Sequence, residues 1–172
     1  MRKKTAFMRL AGAALAAGAL VTTVQVPSAS AASGWTLQNI NSGKYLEIGG
    51  WSTADGATAN QWDVTGGPNQ SWELFYATTQ TGLTIRNVHS GKCLEIADWR
   101  TDNGAPARQW ECTGGKNQQW DHVWLSDTSN LTLLKNRNSG KCLEIADWRT
   151  DNGAPARQWD CHGGKNQQWN QQ

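Results

Sequence analysis

The chain has 172 residues, 16 basic against 14 acidic side chains for a formal charge of +2, 18 Gly, four Cys and 11 Trp. Four of the basic residues, Arg2, Lys3, Lys4 and Arg9, stand in the first ten positions without an acid, which leaves 12 basic against 14 acidic residues, or −2, over the rest. That interspersed balance lacks the basic footprint a phosphate backbone requires, so a nucleic-acid partner is excluded, and no later apolar run is long enough to span a bilayer.

In chain order, MRKKTAFMRL followed by AGAALAAGALVTTV has the basic start and short apolar stretch of a secretory signal peptide, and Ala29-Ser30-Ala31 supplies a small-residue cleavage site. A signal peptide over 1–31 is expected, with the mature, secreted and extracellular chain over 32–172, room for one domain. Four cysteines in an exported chain point to two disulfides.

Three gapless copies of one unit fill the mature chain. SGKYLEIGGWSTADGATANQWDVTGGPNQSW runs from Ser42 to Trp72, SGKCLEIADWRTDNGAPARQWECTGGKNQQW from Ser90 to Trp120, and SGKCLEIADWRTDNGAPARQWDCHGGKNQQW from Ser139 to Trp169. The copies are bounded at about 35–77, 78–125 and 126–172. Each reads as a lead-in strand, an SGK turn, a YLEI or CLEI strand, a TADG or TDNG turn, a second strand through the QW pair, a Gly-Gly turn and a last strand from the NQxW segment. Leu46, Leu94 and Leu143 alternate with Glu47, Glu95 and Glu144, which places the Glu residues on the outward face. About twelve short strands result, an all-β chain without helical apolar periodicity. One unit is too small to bury its own apolar face, so three are expected to close around a pseudo-threefold axis.

Copy one has Tyr45 and Val64 where the other copies have Cys93 with Cys112 and Cys142 with Cys161. Joint absence of both members is explained by pairing within a copy, hence Cys93–Cys112 and Cys142–Cys161 are expected. His89 and His122 read as isolated and His162 adjoins a paired Cys, so no metal-ligand spacing exists, and no cofactor is expected. Asn69-Gln70-Ser71 and Asn130-Leu131-Thr132 match glycosylation sequons.

Three QxW signatures, Gln70-Ser71-Trp72, Gln118-Gln119-Trp120 and Gln167-Gln168-Trp169, each behind an LEI strand and a QW pair, give the chain its resemblance to the ricin B-type lectins, related to family 13-like carbohydrate-binding modules. The resemblance spans about 35–170 and implies a β-trefoil in which Trp72, Trp120 and Trp169 are core. It also implies sugar sites built from a carboxylate (Glu47, Glu95, Glu144), an aromatic platform (Trp62, Trp110, Trp159) and a polar pair (Asn69 with Gln70, Asn117 with Gln118, Asn166 with Gln167). The family's carboxylate is usually Asp, and its usual Gln two residues before the platform is here Asn60, Arg108 and Arg157.

A pyranose presents an apolar C–H face and a rim of hydroxyls, which suits an indole beside charge-assisted hydrogen-bond acceptors. Arg108 and Arg157 either pair with a nearby acid, Glu95 or Glu144, Asp98 or Asp147, Asp102 or Asp151, or reach a ligand oxygen; the ion pair is the reading adopted. Trp51, Trp99 and Trp148 either wall the pocket or staple the loop, and Trp35 and Trp124 read as structural. The resemblance implies a secreted, multivalent lectin with up to three sites for galactose- or xylan-type glycans, and a monomer is expected. Three equivalent acids suit a binder better than an active site, whose carboxylates take different roles. The competing readings are a small glycoside hydrolase and a trefoil inhibitor or toxin-accessory module.

Overall fold

The computed structural model describes residues 34–76, 82–126 and 129–172; the expected signal peptide lies outside them. Copy one supplies β1 (Leu37–Asn39), β2 (Tyr45–Ile48), β3 (Ala59–Trp62) and β4 (Trp72–Tyr76). Copy two supplies β5 (Leu83–Asn87), β6 (Cys93–Ile96), β7 (Ala107–Trp110) and β8 (Gln119–Trp124). Copy three supplies β9 (Leu131–Asn136), β10 (Cys142–Ile145), β11 (Ala156–Trp159) and β12 (Trp169–Gln171).

The outer strands of each copy form a six-stranded antiparallel barrel in the order β1-β12-β9-β8-β5-β4. Paired backbone hydrogen bonds of 2.8 Å between Trp35 and Trp72 join β4 back to the chain just before β1, so the ring has no open edge. The inner strands form three hairpins, β2–β3, β6–β7 and β10–β11. Isolated bridges Thr58 to Arg108, Pro106 to Arg157 and Asn60 to Pro155 link these hairpins in a ring around the pseudo-threefold axis. The expected all-β trefoil is what the chain adopts.

The repeated Leu and Ile positions of the LEI strands and the QxW tryptophans face one shared core, in which Leu46, Leu94 and Leu143, Ile48, Ile96 and Ile145, and Trp72, Trp120 and Trp169 are fully buried. A buried indole N–H needs an acceptor. Trp72, Trp120 and Trp169 donate Nε1–H to the carbonyls of Leu46, Leu94 and Leu143, each at 3.1 Å.

Polar side chains bind the copies to one another. The Gln of each QW pair is completely buried and donates Nε2–H to two carbonyls in the turn of a neighbouring copy: Gln109 to Ser52 and Ala54, Gln158 to Arg100 and Asp102, Gln61 to Arg149 and Asp151. Asn39, Asn87 and Asn136 donate across copies in the same way, to the carbonyls of Asn166, Asn69 and Asn117. These buried amides fix the angular placement of each copy, since leaving one unpaired costs about 1–3 kcal/mol.

Both expected disulfides are present, Cys93–Cys112 and Cys142–Cys161, each with a Cα–Cα distance of 5.1 Å. The NQxW segment differs from the expected strand. Asn and Gln sit in a short 3-10 turn (Pro68–Gln70, Lys116–Gln118, Lys165–Gln167), and in copies one and three the strand starts only at the Trp. The physical reason is the Gln side chain, whose Oε1 accepts the backbone N–H of Thr65, Thr113 or His162 and folds the segment back on the Gly-Gly turn. Trp35 and Trp124 are about half exposed, so they are not core residues.

Candidate functional site

Pairing across each hairpin puts the LEI carboxylate opposite the residue two before the platform indole: Glu47 opposite Asn60, Glu95 opposite Arg108, Glu144 opposite Arg157. Contrary to the outward placement expected from alternation, all three Glu residues are buried, at 5%, 4% and 2% exposure. The 3-10 turn covers them. Asn69 Nδ2 and Gln70 Nε2 each donate to Glu47 Oε2 at 3.2 Å. Asn117 and Gln118 do the same to Glu95 Oε2 at 3.1 and 3.0 Å, and Asn166 and Gln167 to Glu144 Oε2 at 3.2 and 3.1 Å.

The second amide hydrogens of these pairs go to backbone carbonyls, Asn69 to Ile48 and Gln70 to Asp63, with the same pattern in the other copies. The amide N–H groups of all six side chains are therefore spent on holding the carboxylate and the loop, and they leave the second carboxylate oxygen unengaged. Asn69, Asn117 and Asn166 each keep a buried Oδ1 without a hydrogen-bond partner among the described residues.

A Trp follows the carboxylate strand in a left-handed backbone conformation, φ 55° at Trp51, 55° at Trp99 and 56° at Trp148. The conformation turns each indole back over the Gly-Gly turn. A Cβ on Gly67, Gly115 or Gly164 would lie within 2.6–2.7 Å of the ring, so close approach, not backbone torsion, demands Gly there. Trp51 and Trp99 line pockets, while their carbonyls accept hydrogen bonds from a neighbouring copy, His89 Nε2 at 3.1 Å and Asn138 Nδ2 at 3.0 Å. They thus serve both as walls and as staples. His122 Nδ1 likewise lies 2.8 Å from the Tyr76 hydroxyl.

The platform indoles stand across the pocket, with Trp62 41% and Trp110 36% exposed. Each also lies against the turn glycine of another copy, Trp62 by Gly153, Trp110 by Gly56 and Trp159 by Gly104. Copy one encloses about 250 Å3 between Glu47, Gly50, Trp51, Trp62 and Thr65. Copy two encloses about 230 Å3 between Glu95, Asp98, Trp99, Arg108, Trp110, Thr113 and Asn117. The Thr position was not singled out from sequence, and Asp98 was considered only as an ion-pair partner of Arg108, not as a pocket-lining residue.

Arg108 and Arg157 form the expected ion pairs, with two acids each. Arg108 Nε donates to Glu95 Oε1 and its Nη2 to Asp98 Oδ1, both at 2.9 Å; Arg157 meets Glu144 at 3.0 Å and Asp147 at 2.9 Å. Asp102 and Asp151 are engaged elsewhere, by Arg100 and Arg149. The guanidinium carbons of Arg108 and Arg157 lie 4.6 and 4.5 Å from the centroids of Trp110 and Trp159, a cation–π stack contributing about 0.5–1 kcal/mol at such a site. In copy three His162 replaces Thr65 and Thr113, stacks on Trp148 and brings Nε2 to 3.5 Å from Glu144 Oε2.

Copy one has no counterpart of the Arg. No donor among the described residues meets Glu47 Oε1, and burial pushes the Glu47 carboxyl above the usual carboxylate range against the opposing hydrogen bonds of Gln70 and Asn69. A larger cavity, about 420 Å3, lies apart from these pockets between Tyr76, Leu83, Trp120, His122 and Trp124. Among the described residues no cluster of His, Cys, Asp or Glu could hold a metal ion, and no helix is long and apolar enough to cross a membrane.

A family model described as a ricin-type β-trefoil lectin domain-like domain matches residues 23–110, 72–133 and 116–172. The chain belongs to the ricin-type β-trefoil lectin family. Its trefoil is similar to the designed threefold-symmetric protein ThreeFoil, at 37% identity and a TM-score of 0.76 over 80% of this chain and 96% of that one. It is similar also to an exo-β-1,3-galactanase from Clostridium thermocellum, at 31% identity and a TM-score of 0.76, over 81% of this chain but only 30% of the enzyme. A ricin B-like lectin from Macrolepiota procera, solved with lactose, shares the fold at 19% identity and a TM-score of 0.67, over 84% of this chain and 97% of that one. No curated protein matches the chain.

Proposed function

We propose that this ricin-type trefoil is a secreted carbohydrate-binding protein without catalytic activity, whose pockets take a pyranose of a galactose- or xylan-type glycan. One observation carries the reading: a buried carboxylate, fixed by two amide side chains, opens between two exposed indoles in a repeated pocket. The platform indole of Trp62, Trp110 or Trp159 takes the apolar sugar face, and Glu47, Glu95 or Glu144 takes the hydroxyl rim. Asn69, Gln70 and their counterparts hold the carboxylate in place. Two disulfides accord with an extracellular setting.

A glycosidase needs an acid and a second carboxylate in distinct roles. In copy two the candidate pair, Glu95 and Asp98, is bridged by one guanidinium, which suits neither a proton donor nor a nucleophile. The galactanase resemblance covers less than a third of that enzyme, so its activity does not transfer.

The test is a glycan array on the mature protein beside a folded Trp62→Ala, Trp110→Ala, Trp159→Ala variant. Binding to a galactose- or xylan-type glycan, lost in the variant, is expected. Equal binding by the variant would refute the platform assignment, and reducing-sugar release from a polysaccharide would restore the hydrolase reading.

A further inference from the structure

The three pockets share one plan and differ at the residue facing the carboxylate. In copies two and three both carboxylate oxygens are occupied: Oε2 by the Asn and Gln amides, Oε1 by Arg108 or Arg157. The same guanidinium stacks on the indole that a sugar would use. A second carboxylate anchors it from the far side, Asp98 or Asp147. Both Asp residues sit in the left-handed region, at φ 54° and 55°, next to a Trp that does too. Non-glycine residues adopt that region at an energetic cost, and where they persist the side chain commonly has a task.

Copy one keeps the amide clamp and the indole but lacks both the Arg and the Asp of this device. Asn60 replaces the Arg, Gly50 occupies the left-handed position at φ 62°, and Glu47 Oε1 has no donor. Asn60 does not take the guanidinium's place: among the described residues the side-chain donors to Glu47 are Asn69 and Gln70, both on Oε2.

We infer that the protein binds saccharide chiefly through copy one, and that Arg108 and Arg157 are specificity-determining residues that close the platforms of copies two and three. This rests on the carbohydrate-binding reading above. A sugar entering copy two or three must displace a guanidinium held by two carboxylates and an indole, whereas a sugar entering copy one meets an indole with no guanidinium stacked on it and a free acceptor. The ligand of copy one is a neutral saccharide, because Glu47 is the only ionisable side chain among the described residues lining that pocket and it would repel a uronate. His89 lies behind the wall, edge-on to Trp51 at 5.3 Å.

The experiment is calorimetric titration of the mature, disulfide-bonded protein with lactose, xylobiose and galacturonic acid. For a neutral probe the expected stoichiometry is one per chain. Trp62→Ala and, with less disturbance to packing, Glu47→Gln should each weaken binding at least tenfold. The double variant Arg108→Asn, Arg157→Asn should raise the stoichiometry toward three. Three equal sites in the unaltered protein, or galacturonic acid preferred over lactose and xylobiose, would overturn the inference while leaving the lectin reading intact. No binding of any probe by any variant would instead remove the lectin reading and this inference with it.

Discussion

In copy two a guanidinium lies on the platform indole and takes an oxygen of the buried carboxylate; in copy one the same place holds Asn60, a Trp62 with no guanidinium stacked on it and a carboxylate oxygen without a donor. The two copies nonetheless share hairpin register, the Asn-Gln clamp, the wall indole and the buried QxW tryptophan. Residues that build the trefoil and residues that tune a pocket are therefore separable, and a repeat can keep its fold while changing what its pocket admits.

The largest expected difference between the copies concerns the disulfides. Reducing Cys93–Cys112 and Cys142–Cys161 should cost on the order of 3 kcal/mol each in the chain-entropy model, and the protection lost in hydrogen exchange should concentrate in copies two and three. Equal loss in copy one would show that the bridges stabilise the barrel as a whole. Next in size, Gly67→Ala and Gly115→Ala should each destabilise by about 1–3 kcal/mol in chemical denaturation, because the new methyl would meet the Trp51 or Trp99 ring. Gly67→Ala should also weaken lactose binding, since it displaces the wall of the open pocket.

Asp98→Gly copies the copy-one residue into copy two. It relieves a left-handed Asp but removes an ion pair whose Asp partner is 70% exposed, worth at most about 1 kcal/mol, so a net gain of up to about 1 kcal/mol is expected from thermal unfolding. A marked loss would mean that the Asp98 pairing outweighs the strain.

The smallest effect is in pH. Burial raises the Glu47 carboxyl, so the folded chain takes up this proton at a higher pH than the unfolded chain. Glu47 therefore favours folding below the usual carboxylate range, and that contribution fades as the pH rises through its folded value. Binding runs the other way, because protonation converts the acceptor to a donor. Lactose affinity should fall on acidification from a pH above that of an ordinary Glu, and Glu47→Gln should flatten the profile.

The repeat spacing, with the family resemblance of the QxW signatures, made the trefoil legible before any coordinates, because three units each too small to bury an apolar face share one core by closing on an axis. The disulfide pairing was legible for a related reason, both members being absent from copy one. The burial of Glu47, Glu95 and Glu144 was not: strand alternation assigns Glu outward, and only the folded Asn-Gln turn covers it. Contacts between copies were hidden as well. Gln109 reaches Ser52 and Ala54, and Trp110 reaches Gly56, only once the ring is closed. Pairing of Arg108 with an acid could be read from composition, but its place on the indole needed the hairpin register.

The most direct test of unequal pockets follows the indole N–H resonances of Trp62, Trp110 and Trp159 in two-dimensional NMR while lactose is added. The Trp62 signal is expected to shift and saturate first, with Trp110 and Trp159 unmoved until at least tenfold more sugar is present. Three signals shifting together along one binding curve would contradict it.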